Sequence, residues 1–286
     1  MAALLSKRWD ASSNKYVKGD YYSLDDVNNT LFFDVETTTR YKTYDEYLEK
    51  ERNCGKEFAR TSGKRNDWKE MSTSEIYDKN GMLLAQHLQI ISIAYRKWNP
   101  SNRKYEGNTI GFSSWEEYES IKDKTKADKD LLIQFNEVLY SQFGEERGLL
   151  GGYNILGFDM AVLWMRMMSC DIKPHPSLHT VGKKPWDIDW VLDLQSWTTP
   201  TDHKGLSSFD TINSLFNVRS SKTDEIAGNY VGIRFWDDHD IDGINDYCMK
   251  DVMSSIALAR RLSEDVINNI HAKTMEDYCT RMENKI

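Results

Sequence analysis

Apolar residues fall along this chain in short blocks separated by long polar stretches. Leu31, Phe32, Phe33 and Val35 form the first block, apolar and β-prone, and predict a buried strand that ends in acidic and Thr-rich sequence. From about 38 to 85 the chain turns polar and charge-mixed, broken by Gly55, Gly63 and Gly81. That stretch reads as an insertion rather than a core element. Apolar sequence returns at 89–95 as a second strand, and 108–112 reads as a third after the Asn99-Pro100-Ser101-Asn102 turn signal. Leu131, Leu132, Phe135, Val138 and Leu139 have the spacing of an amphipathic helix over 130–143. Then follow a short strand at 149–153, a strongly apolar helix at 159–168 and a strand at 188–194. Helices over about 207–216 and 242–266 close the pattern. Strands first, then alternating helix and strand, predict an α/β fold with a mixed central sheet flanked by helices. With no repeat and no linker, the expectation is one domain over 1–286, its core at about 31–262 and its insertion at 38–85.

Composition narrows the class. The 9 Trp, 15 Tyr and 10 Phe among 286 residues supply ample surface to bury, which excludes disorder. No apolar stretch approaches the roughly 18 residues of a membrane span. Residues 1–13 lack an apolar signal core, so no secretory signal is expected. Cys54, Cys170, Cys248 and Cys279 are scattered without a CxxC pair, which fits a reducing, intracellular setting such as the cytoplasm. The net charge of −8 disfavours nucleic-acid binding over the whole surface. It leaves a local basic groove open, and a site that holds divalent metals itself requires carboxylates.

Three stretches carry candidate chemistry. Asp34 and Glu36 end the first strand two residues apart, so both project to one face. Two hard oxygen ligands there suit Mg²⁺ or Mn²⁺ better than zinc, although alone the pair reads as two exposed acids beginning a loop. Asp159 starts the apolar helix at 159–168, where capping is the plain explanation of an acid. Capping does not account for Tyr153, Asn154 and Phe158 around it, an amide and two rings able to hold a base or sugar. Tyr247 and Asp251, four apart, share one face of the last helix. Their ordinary reading is a hydrogen bond across one turn; a buried carboxylate there needs a partner, and a metal is one.

Together the three resemble the 3′–5′ exonucleases that use four acidic metal ligands and a tyrosine, most closely the proofreading domain of family B DNA polymerases. Asp34-Val35-Glu36-Thr37 matches that family's Asp-x-Glu-Thr. Tyr153-Asn154 with Phe158-Asp159 matches Tyr-Asn-x-x-x-Phe-Asp, and Tyr247-Cys248 with Asp251 matches Tyr-Cys-x-x-Asp, in the same order. The alternative subclass has His five residues before the final Asp; that position is Asp246 here, which favours the tyrosine subclass. The resemblance implies a ribonuclease-H-like fold and two divalent ions, Mg²⁺ or Mn²⁺, held by Asp34, Glu36, Asp159 and Asp251. Asp34 and Asp251 would hold the ion nearer the nucleophile, Glu36 would support it, and Asp159 would act on the second. Tyr247 would orient the attacking water, its ordinary pKa of about 10 suiting it better to that than to acting as a base. Thr37, Tyr153, Asn154 and Phe158 become candidates for gripping the terminal nucleotide.

The implied activity is release of nucleoside 5′-monophosphates from the 3′ end of single-stranded DNA, by a chain too short to include a polymerase. A separate polymerase or other replication or repair protein is then a natural partner. Two alternatives stay open: an end-binding module that cuts poorly, and an exonuclease acting mainly on RNA. Within the insertion, Arg60, Lys64, Arg65 and Lys69 with Trp68 suit single-stranded nucleic acid, while a solvated loop explains them equally well. Asp238-His239-Asp240-Ile241-Asp242-Gly243 mimics the start of a calcium loop, but Met249 stands where a bidentate Glu is required. The residues before it, 229–236, read as strand or loop, and the run as an acidic turn leading into the last helix. His175 and His179 have zinc-pair spacing, yet Pro174 and Pro176 point to a loop.

Overall fold

Alternation along the first apolar block decides which way the sheet faces. In the computed structural model, which describes residues 7–10, 15–18, 22–62, 68–184, 187–199, 208–220 and 230–283, a two-stranded antiparallel ribbon of β1 (Lys7–Asp10) and β2 (Lys15–Lys18) comes first. Helix α1 (Leu24–Asn29) follows, started by a capping box of Ser23 and Asp26. Strand β3 (Leu31–Thr39) is the sheet's axis. Next come α2 (Tyr44–Lys50), α3 (Arg52–Ser62) and α4 (Thr73–Asn80), before β4 (Leu88–Asn99), β5 (Lys104–Glu106) and β6 (Thr109–Gly111). Helices α5 (Trp115–Ser120) and α6 (Lys129–Phe143) lead to β7 (Leu150–Gly152), α7 (Asp159–Ser169), β8 (Val191–Asp193) and α8 (Leu194–Thr198). The chain continues through α9 (Phe209–Leu215), α10 (Val231–Ile233) with a π-turn at Arg234–Asp238, α11 (Ile241–Leu262) and α12 (Glu264–Glu283).

The sheet is mixed, in the order β5-β4-β3-β7-β8 with β6 also on β4. β3 runs antiparallel to β4 and parallel to β7, and β7 parallel to β8. Leu31, Phe33 and Val35 enter one core with Leu131, Leu132 and Phe135 of α6 and Met160 and Leu163 of α7. Phe32 faces the opposite way, into a second core with Cys248, Val252 and Ile256 of α11. Each buried side chain of this size stabilises the fold by roughly 1.5–3 kcal/mol. Helices therefore cover both faces of a mixed sheet, as the sequence pattern predicts, and the arrangement agrees with the ribonuclease-H-like fold that the resemblance implies.

Three departures have physical causes. β3 continues to Thr39, paired with Leu88, so the insertion occupies 40–87 and its ends meet across a hairpin. It is helical, and Tyr41, Tyr47, Phe58, Trp68, Ile76 and Tyr77 give it an apolar cluster of its own. The segment expected as strand or loop before the acidic turn is helical over 231–238. The last helix breaks at Ser263, buried and extended, whose carbonyl receives the N–H groups of Val266 and Ile267 as α12 begins.

Candidate active site

Asp34 pairs across β3–β4 with Ala94 and Glu36 with Ser92, and a β-bulge follows immediately between Glu36 and Thr37. The two-residue period puts both carboxylates on the Phe32 face, against which α11 packs, and the bulge ends that regularity at the site.

Asp159 arrives from the neighbouring strand. β7 pairs with β3 only at Leu31↔Leu150 and Phe32↔Gly151. Gly152 then lies so close to β3 that a Cβ there would stand 2.7 Å from the Phe33 carbonyl oxygen. Past it the chain turns through 153–158 into α7, and the Asp159 carboxylate accepts the Val35 N–H at 3.0 Å. An acid on a separate element thus takes up a backbone donor of β3, between Asp34 and Glu36. This bond across the fold is what the sequence reading of Asp159 as a helix cap could not supply.

The third contributor is α11. Tyr247 is buried, Asp251 half-buried, and the Cys248 thiol donates towards the Asp34 carbonyl at 3.4 Å and its Oδ2 at 3.6 Å. Burial, followed by the charges of Asp251 and Asp159, holds the Asp34 carboxyl well above the usual carboxylate range. Glu36 is raised by burial and then by Asp34, Asp251 and Asp159; Asp159 is raised chiefly by burial. The Tyr247 phenol is pushed up by burial and by Asp251, Glu36 and Asp34. No Lys or Arg stands among the main influences on any of these groups. Acids that repel one another in a dry site fit a cation, which turns the repulsion into attraction. Asp34, Glu36 and Cys248 place one ligand atom each within 4.8 Å of one another. With oxygen ligands in the majority, the donor set suits a hard divalent ion.

The neighbouring candidates divide. Asn154 adopts φ +61°, and its Oδ1 lies against Gly157, 2.3 Å from where a Cβ there would stand, so a side chain at 157 would displace the Asn154 amide. Phe158, half-buried, packs against the first core. Tyr153 stacks on Phe209 of α9 with centroids 4.6 Å apart. Thr37 is buried, and its hydroxyl donates to the Met82 carbonyl at 2.9 Å, tying β3 to the insertion. Asp193, at the end of β8, is the residue that sequence reasoning left without a role: only 2% exposed, it accepts backbone N–H groups from both the 154–156 turn and α8. The sequence placed Asp193 within the strand expected over 188–194; nothing in that pattern pointed to residues 37 to 39 positions earlier.

Within the basic stretch of the insertion, Trp68 is not the surface ring that composition suggested. Trp68 is 8% exposed, inside the aromatic cluster with Tyr47 and Tyr77, so it offers no stacking face. Arg60 is exposed but forked onto Glu57 at 2.6 and 2.9 Å; Lys69 is exposed; Lys64 and Arg65 lie outside the described residues. The calcium-like run caps α11, with Asp240 accepting the Gly243 N–H and pairing with Arg234 at 2.6 Å. His175 is buried against the Gly144 carbonyl and His179 stacks on Trp164, so they do not act as a metal pair. No helix among the described residues is long and apolar enough to cross a membrane.

A search of the curated proteins found no match. A family model described as a predicted 3′–5′ exonuclease related to the exonuclease domain of PolB matches residues 89–285. That span holds Asp159, Tyr247 and Asp251, while Asp34 and Glu36 precede it and join them only through the pairing of β3. The matched span, most of the chain, places this protein in the family of predicted 3′–5′ exonucleases related to the exonuclease domain of PolB.

Proposed function

We propose that the protein hydrolyses phosphodiester bonds from the 3′ end of single-stranded DNA, as a metal-dependent exonuclease of the tyrosine subclass acting as one domain. The observation that carries this reading is the convergence of Asp34, Glu36, Asp159 and Asp251, with Tyr247, from three separate elements. Asp34 and Asp251 would hold one divalent ion with Glu36 in support, and Asp34 and Asp159 a second. Two such ions, when bound, neutralise charge on the phosphate and ease deprotonation of the attacking water. Tyr247 remains a phenol, since its ionisation is pushed up, and it orients a water by hydrogen bonding rather than removing its proton. The buried walls of the site limit competing water, which strengthens every charge interaction within it. Nucleoside 5′-monophosphate is the expected product, and a separate polymerase or other replication or repair protein the expected partner.

The deciding assay uses end-labelled single-stranded DNA and RNA, each free or blocked at the 3′ end, with Mg²⁺, Mn²⁺ or EDTA. Mononucleotides released only from free DNA ends, and only with metal, are expected. Binding without cleavage in every metal would replace the enzyme with an end-binding module, and faster RNA digestion would reassign the substrate.

A further inference from the structure

The Asp193 carboxylate accepts four backbone N–H groups. Oδ1 accepts from Asn154 at 3.1 Å, Gln195 at 3.0 Å and Ser196 at 3.3 Å, and Oδ2 accepts from Leu156 at 2.9 Å. All four bonds go to backbone N–H groups, three on Oδ1 and one on Oδ2, so the carboxylate is engaged with the chain around it. Two of the bonds cap α8. The other two reach back to the turn between β7 and α7, which has no regular structure of its own to hold it. From that turn the linkage continues: the Asn154 carbonyl accepts the N–H groups of Gly157 and Phe158, and the Ile155 carbonyl accepts that of Met160. Those residues flank Asp159, whose carboxylate meets Val35.

We infer that Asp193 is a positioning residue: one buried carboxylate at the end of β8 fixes the 154–156 turn and thereby sets where Asp159, Asn154 and Phe158 stand relative to Asp34 and Glu36. The inference rests on the nuclease reading for its effect on cleavage, but its effect on the turn is independent of that reading. Geometry supplies the reason for an acid here. A Ser hydroxyl can cap α8, whereas Oδ1 of Asp193 holds both α8 and Asn154 and its second oxygen holds Leu156, which takes the longer, two-oxygen side chain of an acid.

Asp193→Ser separates the two duties, because Ser retains the cap on α8 and is too short to reach the turn. Asp193→Asn is the milder partner, keeping the Oδ1 bonds and losing the Leu156 bond. The measurements are Tm, amide hydrogen exchange at 154–160, Mn²⁺ affinity by paramagnetic resonance, and kcat and KM on single-stranded DNA. Expected for Asp193→Ser are faster exchange confined to 154–160, and Mn²⁺ affinity and kcat each lower by about 10–100-fold, the usual span for groups that orient metal ligands. Asp193→Asn should fall between it and the wild type. Wild-type exchange, Mn²⁺ affinity and kcat in a folded variant of either kind overturn the inference. Faster exchange in a chain whose wild type neither binds Mn²⁺ nor cleaves would instead overturn the nuclease reading and leave the positioning role standing.

Discussion

Asp34, in the proposed metal site, is a residue whose surroundings work against its charge. Burial and the neighbouring acids raise its carboxyl, so the metal-free site is held together against mutual repulsion. Asp34→Asn or Asp251→Ala should abolish cleavage, and Asp34→Asn should leave Tm in EDTA equal to or above that of the wild type. Cleavage near the wild-type rate, or a Tm lowered by the substitution in EDTA, would count against the assignment. Tyr247→Phe removes a hydrogen bond and no metal ligand, so a milder loss, about 10²-fold in kcat, is expected from the general range for such groups; steady-state kinetics at saturating metal checks it.

At the scale of elements, the insertion is a small helical unit whose stability rests on rings. Trp68 is buried in the cluster that includes Phe58 and Tyr77, and Trp68→Ala should cost about 3–5 kcal/mol in denaturant unfolding, as for other buried aromatics. Single-strand affinity measured below the unfolding transition should then stay at the wild-type value; a matching loss of affinity would return Trp68 to the nucleic-acid surface. His87 gives this unit a pH dependence. Its Nδ1 lies 2.7 Å from the Tyr47 hydroxyl, and burial first, then the Arg40 charge, lowers its pKa to about 4. A lowered folded value means that the unfolded chain binds the proton first. The contribution is present in full above the unfolded value of about 6.5 and is lost as pH falls through about 4, with a slope of up to about 1.4 kcal/mol per pH unit. Thermal unfolding at pH 7 and pH 5 should show this loss in the wild type and a smaller one in His87→Gln.

For the whole molecule, the element that carries Asp159 is tied to the sheet by a buried ion pair. Arg166 of α7 forks onto Asp128 at 2.7 and 2.8 Å, and Asp128 accepts the Ile90 N–H of β4 at 3.0 Å. Removing one partner strands the other's charge in the interior. Arg166→Met should destabilise by about 3–5 kcal/mol, and Arg166→Met with Asp128→Leu should recover much of it. Chemical denaturation of the two variants decides this; equal loss in both would show that the pair's hydrogen bonds, rather than the stranded charge, dominate.

Local pattern determined much of this protein. The two-residue alternation of Phe32, Asp34 and Glu36 fixed their common face, and the apolar helical spacing of Leu131, Leu132 and Phe135 fixed the face that α6 buries. These are properties of periods of two and 3.6 residues, and they need no partner to be read. Tertiary structure decided the rest. That Asp159 binds the Val35 N–H, that Asp193 holds a turn 37 to 39 residues behind it, and that Trp68 is core rather than surface all follow from contacts between segments far apart in the chain. Composition around Trp68 counted its charged neighbours and could not register the cluster it joins with Tyr47 and Tyr77. A buried donor or acceptor must find a partner somewhere in the fold, but its own stretch of sequence does not say where.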